Sequence, residues 1–151
     1  MIQVFKPKLS ISDVLSVLIN LFKNNISGTS PVVSEFEQKL ANIFGREHVT
    51  ALSNGSVALD VAFQLIDLQE DDEVILPSFT IVSCLSAVIR SKAKPVFCDV
   101  KPDSWNMSLE QVMEKVTKKT KAILMVHIYG LPSEAKEIAK FCKSRGIILI
   151  E

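Results

Sequence analysis

From residue 48 onward, short runs of consecutive apolar residues alternate with segments that have helical spacing. Residues 74–76 (VIL) and 122–126 (AILMV) are apolar at every position, which is typical of parallel strands covered on both faces. Strict alternation of strand and helix implies right-handed crossover connections. The pattern therefore predicts an α/β fold, a three-layer α/β/α sandwich with a mostly parallel sheet of about five strands.

The same pattern predicts the individual elements of secondary structure. Predicted strands cover residues 48–53, 73–77, 94–100, 121–128 and 147–150, and predicted helices cover residues 56–68, 80–91, 108–117 and 133–145. Two further helices are expected before them. The first lies within residues 11–24, where leucine, valine and phenylalanine recur at helical spacing. The second has Ser30 as N-cap, Pro31 at its first position and Gly45 at its end.

Composition limits the class of protein and of partner. The chain has 151 residues, of which 48% are hydrophobic and 23% charged, so it is long enough for one globular domain with a core. Seventeen basic residues balance 17 acidic ones, and this balance favours neither a nucleic acid nor an anionic membrane as partner. Two histidines are too few to suggest a metal cluster.

Two further observations bear on the compartment. Polar Asp13, Asn20 and Lys23 interrupt the apolar segment 11–24, so it predicts an amphipathic helix and neither a signal peptide nor a membrane span. Cys84, Cys98 and Cys142 form no close pair in the sequence. We expect buried, reduced thiols, as in the cytoplasm.

The segment Ser53-Asn54-Gly55-Ser56 lies between a predicted strand and a predicted helix. Such a turn presents free backbone N–H groups at the positive end of a helix dipole, which is a site for an anion, most often a phosphate. Gly55 permits close approach and Ser56 adds a hydroxyl group. An alternative remains open: Asn54 or Ser56 is an ordinary helix N-cap, with Gly55 in the turn.

Other polar residues follow the remaining predicted strands and share the carboxyl edge of a parallel sheet. They lie in residues 77–80 (PSFT), 99–103 (DVKPD) and 127–130 (HIYG), and at Glu151. Each has a structural alternative: Thr80 as an N-cap, His127 as a hydrogen-bonded core residue, Asp99 and Asp103 as solvated carboxylates, and Tyr129-Gly130 as a strand terminator. A serine nucleophile elbow and a P-loop are absent from the sequence. The G-x-G-x-x-G dinucleotide fingerprint is absent too, which argues against a dehydrogenase.

The order and spacing of these segments resemble the DegT-type nucleotide-sugar aminotransferases, which are pyridoxal-phosphate (PLP) enzymes of fold type I. The resemblance covers residues 28–44, 53–59, 72–75, 77–80, 95–100, 119–123 and 126–130. Within that family, Ser-Asn-Gly before the helix and the HIYG segment are most similar to the GDP-perosamine synthases. The resemblance implies the N-terminal helices and the first part of a large PLP-binding domain over residues 1–151.

The resemblance also implies roles for particular residues. Asn54, Gly55 and Ser56 correspond to the turn that binds the PLP phosphate, with serine in place of the usual threonine. Ile81 corresponds to a position that stacks on the PLP ring and is usually aromatic. An aliphatic side chain can cover the ring but lacks the aromatic contact, worth about 0.5–1.5 kcal/mol.

The chain stops at the carboxyl edge of a predicted buried strand, so we expect an N-terminal piece of a longer protein. The resemblance implies that an aspartate for the pyridine nitrogen and the PLP-binding lysine lie beyond Glu151, which would leave this piece inactive. The intact protein would be a cytoplasmic, homodimeric aminotransferase for a keto-sugar nucleotide, with an amino acid such as glutamate as donor. A sugar dehydratase of the same family and a non-catalytic phosphate-binding α/β domain remain alternatives.

Overall fold

The structure is a computed structural model that describes residues 6–151. The chain divides into two compact units, one that ends at Ala51 and one that begins at Leu52. None of the helices in residues 6–151 is long and apolar enough to cross a membrane.

In its described residues, 6–51, the first unit contains two helices, α1 (Ile11–Phe22) and α2 (Pro31–Phe44). A capping box begins α1: the Ser10 hydroxyl accepts from the Asp13 N–H, and the Asp13 carboxylate accepts from the Ser10 N–H. The hydrogen bond from the Ser10 backbone is the main cause that lowers the pKa of Asp13, followed by one from the Ser10 side chain. Gly45 ends α2 in the left-handed conformation with φ of 59°. Both predicted helices are confirmed, although the Ser30 side chain makes no capping hydrogen bond.

The second unit alternates helix and strand. Its elements are α3 (Gly55–Ile66), β1 (Glu73–Pro77), α4 (Val82–Arg90), β2 (Lys94–Cys98), α5 (Leu109–Lys115), β3 (Thr120–Leu124), α6 (Ala135–Arg145) and β4 (Ile148–Ile150). The four strands form one sheet in the order β2-β1-β3-β4, and every pair is parallel. The predicted parallel α/β sheet is confirmed.

Apolar side chains fill both faces of this sheet. On one face, Val74 and Leu76 of β1 pack with Phe63 of α3 and Val88 of α4. On the other face lies a second cluster, formed by Ile75, Cys98, Met107, Val112, Ile123, Met125, Ile138, Cys142 and Ile147. Because α3 and α4 cover one face while α5 and α6 cover the other, the unit has the predicted three layers.

The two outer strands differ from the inner ones. All five residues of β1 are buried, whereas most of β2 and all of β4 retain some exposure. Lys94 N–H donates to the Asp72 carbonyl and the Cys98 carbonyl accepts from Ser78 N–H, so even-numbered residues of β2 bond towards β1. Pro95 therefore faces the open edge, where its missing N–H leaves no bond unmade.

One predicted strand is wrong. Residues 48–53 form no strand and pair with none of the four described strands. The Ala51 N–H instead donates to the Glu37 carboxylate at 2.8 Å. The run has only three apolar residues, Val49, Ala51 and Leu52, and Leu52 is 42% exposed, so burial supplies little force to hold it in a sheet. The described sheet accordingly has four strands instead of about five.

Two predicted strands are shorter than expected. β2 ends at Cys98 and β3 at Leu124, although the Met125 N–H still donates to the Ile150 carbonyl of β4. Residues Ile128–Gly130 form a single 3₁₀ turn, and because β3 already ends at Leu124, Tyr129-Gly130 does not terminate that strand.

The three cysteines are unpaired and buried, as the sequence predicts. Burial is the main cause that raises the pKa of the Cys98 thiol to about 11, and it also raises the pKa of Cys142. A thiol with a raised pKa is a poor nucleophile at neutral pH, so Cys98 and Cys142 serve as core residues.

Candidate functional site

Helix α3 begins with a side-chain cap. Asn54 is extended, with φ of −167° and ψ of 169°, and its Oδ1 atom accepts from the Val57 N–H at 3.0 Å. Its carbonyl accepts from the Ala58 N–H at 3.1 Å. The N-cap alternative is therefore correct for Asn54, while Ser56 lies inside the first turn.

The cap leaves the first two N–H groups of α3 available. Gly55 and Ser56 occupy the first two helical positions, where an intrahelical acceptor does not exist. A Cβ atom built on Gly55 would meet nothing within 4 Å, so the space beside this turn is open. Capping by Asn54 and binding of an anion by the next two residues are thus compatible.

A cleft of about 560 Å³ opens at this turn. It is lined by Gly55, Ser56, Ala58, Leu59, Ala62, Ile81, Ser83, Ile150 and Glu151. Three of the four residues predicted to bind a cofactor, Gly55, Ser56 and Ile81, therefore line one cleft. The fourth, Asn54, shapes the turn through its cap.

The second wall of the cleft comes from the start of α4. Ile81 is the N-cap residue, makes no side-chain capping bond and is 68% exposed. The expectation of Thr80 as N-cap is wrong: its hydroxyl donates to the Cys84 Sγ atom at 3.3 Å, and the helix begins one residue later. Ser83 adds a hydroxyl group that sequence reasoning missed; its only signal is its place two residues after Ile81.

The electrostatic character of the cleft follows from its helix ends. The N-termini of α3 and α4 both line the cleft, and each carries partial positive charge. A second cleft of about 600 Å³ lies at the opposite ends of these helices, beside Asp67, Glu70, Arg90 and Ser91. Helix C-termini carry partial negative charge, and this second cleft also contains Lys92.

A buried asparagine organises the loops that follow β2 and β3. Asn106 is 3% exposed; its Nδ2 donates to the Leu131 carbonyl at 2.8 Å and its Oδ1 accepts from the Ile128 N–H at 3.0 Å. These bonds bracket Tyr129, whose φ of 50° is a left-handed conformation that costs about 1–2 kcal/mol for a residue with a side chain. The turn is therefore held by a side chain 22 to 25 residues earlier.

An ion pair joins the same two loops. Lys101 Nζ donates to the Glu134 carboxylate, which also accepts from the Leu109 N–H at 3.0 Å. The Leu109 bond is the main cause that lowers the pKa of Glu134, with the Lys101 bond next. The same ion pair raises the pKa of Lys101.

His127 and Glu151 meet where β3 and β4 end. The Nε2 atom of His127 lies 3.2 Å from Glu151 Oε2, and its Nδ1 atom accepts from the Ser133 N–H at 3.0 Å. His127 is thus hydrogen-bonded, as the structural alternative described, but its side chain is 32% exposed and it is not a core residue. Of the two, only Glu151 lines the cleft.

The remaining carboxylates after β2 play local parts. Asp99 Oδ1 accepts from the Val100 N–H at 2.8 Å and from the Ser78 hydroxyl at 3.5 Å. Asp99 and Asp103 are both exposed, as expected for solvated carboxylates, and neither lines the cleft. Nearby, Phe79 and Trp105 pack edge to face with ring centroids 4.6 Å apart.

Comparison with known proteins gives a consistent result. Residues 11–151 match the DegT/DnrJ/EryC1/StrS aminotransferase family. The whole chain is 38% identical to the dTDP-4-dehydro-2,3,6-trideoxy-D-glucose 4-aminotransferase of Saccharopolyspora spinosa and covers 40% of that protein. Over 99% of the chain, it is 35% identical to the GDP-perosamine synthase of Escherichia coli O157:H7 and covers 41% of it.

Solved structures share the fold. The aminotransferase TlmJ of Streptoalloteichus hindustanus has a TM-score of 0.89 and 31% identity over 99% of this chain, which covers 41% of that protein. NtdA of Bacillus subtilis, solved with the bound cofactor PMP, has a TM-score of 0.84 and 26% identity over 92% of this chain and 32% of its own.

The resemblance to GDP-perosamine synthases is thus matched by a relative of that name, beside a relative that acts on a different sugar nucleotide. The chain spans about two fifths of the length of these curated relatives. With the family match over residues 11–151, the chain belongs to the DegT/DnrJ/EryC1/StrS aminotransferase family.

Proposed function

We propose that this chain is the cofactor-phosphate-binding part of a PLP-dependent aminotransferase that acts on a keto-sugar nucleotide, with an amino acid such as glutamate as donor. The product would be an amino sugar for a polysaccharide or another glycan. The observation that carries the proposal is the cleft that joins Gly55, Ser56 and Ile81. The relatives' names support the substrate class, since two of them act on or make sugar nucleotides.

The residues present fit the phosphate end of PLP. The N–H groups of Gly55 and Ser56 and the Ser56 hydroxyl would bind the phosphate, at the positive end of α3. Open space at Gly55 leaves room for close approach, and Asn54 holds the turn by capping Val57. Ile81, exposed on the cleft wall, would cover one face of the ring. When bound, PLP supplies an electron sink for transfer of the amino group.

The test is a PLP titration, followed by absorbance, of the protein expressed from its complete gene. Ser56→Ala removes one hydrogen bond to a charged group, worth about 1.5–3 kcal/mol, so affinity should fall about tenfold or somewhat more. Gly55→Val should lower affinity further, because a branched side chain would fill the open space that a phosphate needs. Ile81→Trp should leave affinity unchanged or improve it.

Ser144→Ala is the matched control, since this exposed serine lies on α6 and bonds only the Phe141 carbonyl. It should bind PLP as well as the parent. If Ser56→Ala and Gly55→Val remain folded and bind PLP as tightly as the parent, the phosphate site is elsewhere and Asn54-Gly55-Ser56 is only a helix cap.

Product analysis separates the chemical alternatives. Transamination predicts an amino sugar together with the 2-oxo acid of the donor, whereas a sugar dehydratase would release water and incorporate no donor nitrogen. A protein that binds phosphate but shows no visible cofactor absorbance would be a binding module. We propose that the 151-residue piece alone forms no stable internal Schiff base with PLP, and a borohydride-reducible adduct on one specific lysine, with aminotransferase turnover, would overturn this.

We also propose that the intact protein is a cytoplasmic homodimer. Large apolar side chains of α1 support the assembly, since Leu18, Leu21 and Phe22 are 44%, 54% and 88% exposed. Three buried, unpaired cysteines support a reducing compartment. Sedimentation at micromolar concentration should give a dimer or larger, and a monomer would contradict the assembly.

A further inference from the structure

The segment between β1 and α4 carries Ile81 to the cleft. Residues 78–80 belong to no strand or helix, and Ile81 makes no side-chain capping bond and is 68% exposed. On its other side Ile81 continues into α4, which is anchored by buried Cys84, Ala87 and Val88. The position of Ile81 on the cleft wall therefore depends on α4 and on the contacts that hold residues 78–80.

The end of β2 and the loop that follows it hold this segment. The Ser78 N–H donates to the Cys98 carbonyl at 2.8 Å, which continues the pairing of β1 with β2 by one residue. The next side chain, Phe79, packs edge to face on Trp105 of the loop, with ring centroids 4.6 Å apart. The aromatic pair thus ties the segment to that loop two residues before Ile81.

The backbone of Trp105 is held by its own loop. Its φ of 58° is a left-handed conformation that is unfavourable for a residue with a side chain, so surrounding contacts must maintain it. Its N–H donates to the Lys101 carbonyl at 2.8 Å, and the Lys101 N–H donates to the Asn106 carbonyl at 3.0 Å. Asn106 is the buried residue whose side chain joins this loop to the turn at Tyr129. The backbone that carries the Trp105 ring is therefore fixed by contacts other than Phe79.

Resting on the proposed function, we infer that Trp105 is a positioning residue, which holds Ile81 against the cofactor ring through its contact with Phe79. Phe79 and Trp105 are 40% and 47% exposed and neither lines the cleft, so Trp105 acts through the backbone of residues 79–81. An aliphatic side chain at position 81 stabilises a ring by close contact alone. Dispersion attraction falls steeply with distance, so the contribution of Ile81 depends on a fixed backbone.

The fluorescence of Trp105 tests the contact without any ligand. Trp105 is the only tryptophan of the 151-residue chain, so the tryptophan emission reports on this ring alone. Phe79→Leu should shift the emission to longer wavelength and increase quenching by acrylamide, because the ring loses its aromatic neighbour. Phe97→Leu is the matched control, since Phe97 has a similar exposure of 48%, and it should leave the emission unchanged. An emission that ignores Phe79→Leu would overturn the inference.

PLP titration of the protein expressed from its complete gene tests the consequence. Trp105→Leu should weaken PLP binding about threefold to tenfold, the range expected for the loss of one aromatic pair. Trp105→Phe should recover most of this loss, because it keeps an aromatic ring beside Phe79. Phe97→Leu should bind PLP as the parent does.

A double variant shows whether Trp105 acts through Ile81. Ile81→Ala removes the side chain that would cover the ring, so the addition of Trp105→Leu should change PLP affinity little further. For the same reason, Trp105→Leu alone should cost no more affinity than Ile81→Ala. Losses that multiply fully in the double variant would show that Trp105 acts by another route and would overturn the inference.

The outcomes separate the inference from the proposed function. A parent protein that binds no PLP overturns the proposed function, and the inference with it. A parent that binds PLP while Trp105→Leu binds equally well overturns the inference alone. Equal losses from Trp105→Leu and Trp105→Phe, or a loss of the same size in Phe97→Leu, also contradict a role through the aromatic pair.

Discussion

Residues 52–151 contain two buried apolar clusters, one on each face of a parallel sheet, and β1 has no exposed residue. In residues 6–51, α1 has no buried residue and α2 buries only Ala41. Yet the ends of α1 and α2 are as well marked in the sequence as any other, by Ser10 and Gly45. The comparison shows that capping signals specify a helix locally, whereas a core specifies how elements assemble.

The largest expected difference between the two units is the cost of deleting one apolar side chain. Ile123→Ala, at a fully buried position of β3, should lower the free energy of unfolding by about 2–5 kcal/mol. Leu21→Ala, on exposed α1, should change it by less than about 0.5 kcal/mol. Denaturant titration of the 151-residue chain measures both. Similar costs would show that α1 belongs to a core of the single chain.

Removal of a buried polar side chain from residues 52–151 should also destabilise the protein more than removal of an exposed one from residues 6–51, but by less than the loss of a core apolar side chain. Asn106→Ala leaves the Ile128 N–H and the Leu131 carbonyl without partners, and should cost about 1–3 kcal/mol. Its matched control in the other unit is Asn42→Ala, because exposed Asn42 only accepts from Gln38 on the same helix. Thermal unfolding of the two variants should separate them clearly, and equal melting temperatures would refute the role given to Asn106.

The smallest expected difference between the two units is in the stability contributed by two glutamates, Glu134 and Glu35, whose pKa values are both lowered. The backbone of Leu109 is the main cause for Glu134, and Lys39 is the main cause for Glu35. A carboxyl group whose pKa is lowered by folding stabilises the protein at pH values above its ordinary pKa of 4.5. This stabilisation disappears as the pH falls through the pKa of the folded state.

Glu134→Gln should therefore cost at most about 1 kcal/mol at pH 7, a value kept small because the Glu134 side chain is 38% exposed. The difference from the parent should shrink as pH falls from 4.5 through the lowered pKa of the folded state. Glu35→Gln, on the exposed surface of α2, should change stability little at either pH. Urea titrations at pH 7 and pH 3 measure both variants, and a pH-independent cost for Glu134→Gln would exclude its charge as the cause.

Signals local to one stretch of sequence predicted most of the fold. Pro31 and Gly45 mark α2, and the continuous apolar runs of β1 and β3 reveal strands covered on both faces. The prediction of a strand over residues 48–53 was wrong, because a strand needs a partner strand and a six-residue pattern does not show whether one exists. The alternative of Thr80 as N-cap of α4 was wrong for a similar reason, because the Thr80 hydroxyl has a competing acceptor in Cys84.

The features of the candidate site also divide into those that a local stretch of sequence could predict and those that it could not. Gly55 and Ser56 could be predicted, because the turn and the helix start are adjacent in sequence. The bonds of Asn106 to the turn at Tyr129, and of Ser133 to His127, depend on tertiary packing or on a side chain's rotamer. No spacing rule in one sequence reveals them, and the structure was needed to find them.

The two edges of the sheet have a consequence for how it can grow. At the β2 edge, Pro95 faces outward and offers no N–H, so an incoming strand would lack one bond of its ladder. At the β4 edge, Ile148, Leu149 and Ile150 carry neither proline nor charge, and the Leu149 N–H and C=O point away from β3. The two edges of the sheet therefore differ in their ability to pair with a further strand. An additional strand, from a longer polypeptide or from another molecule, would join beside β4.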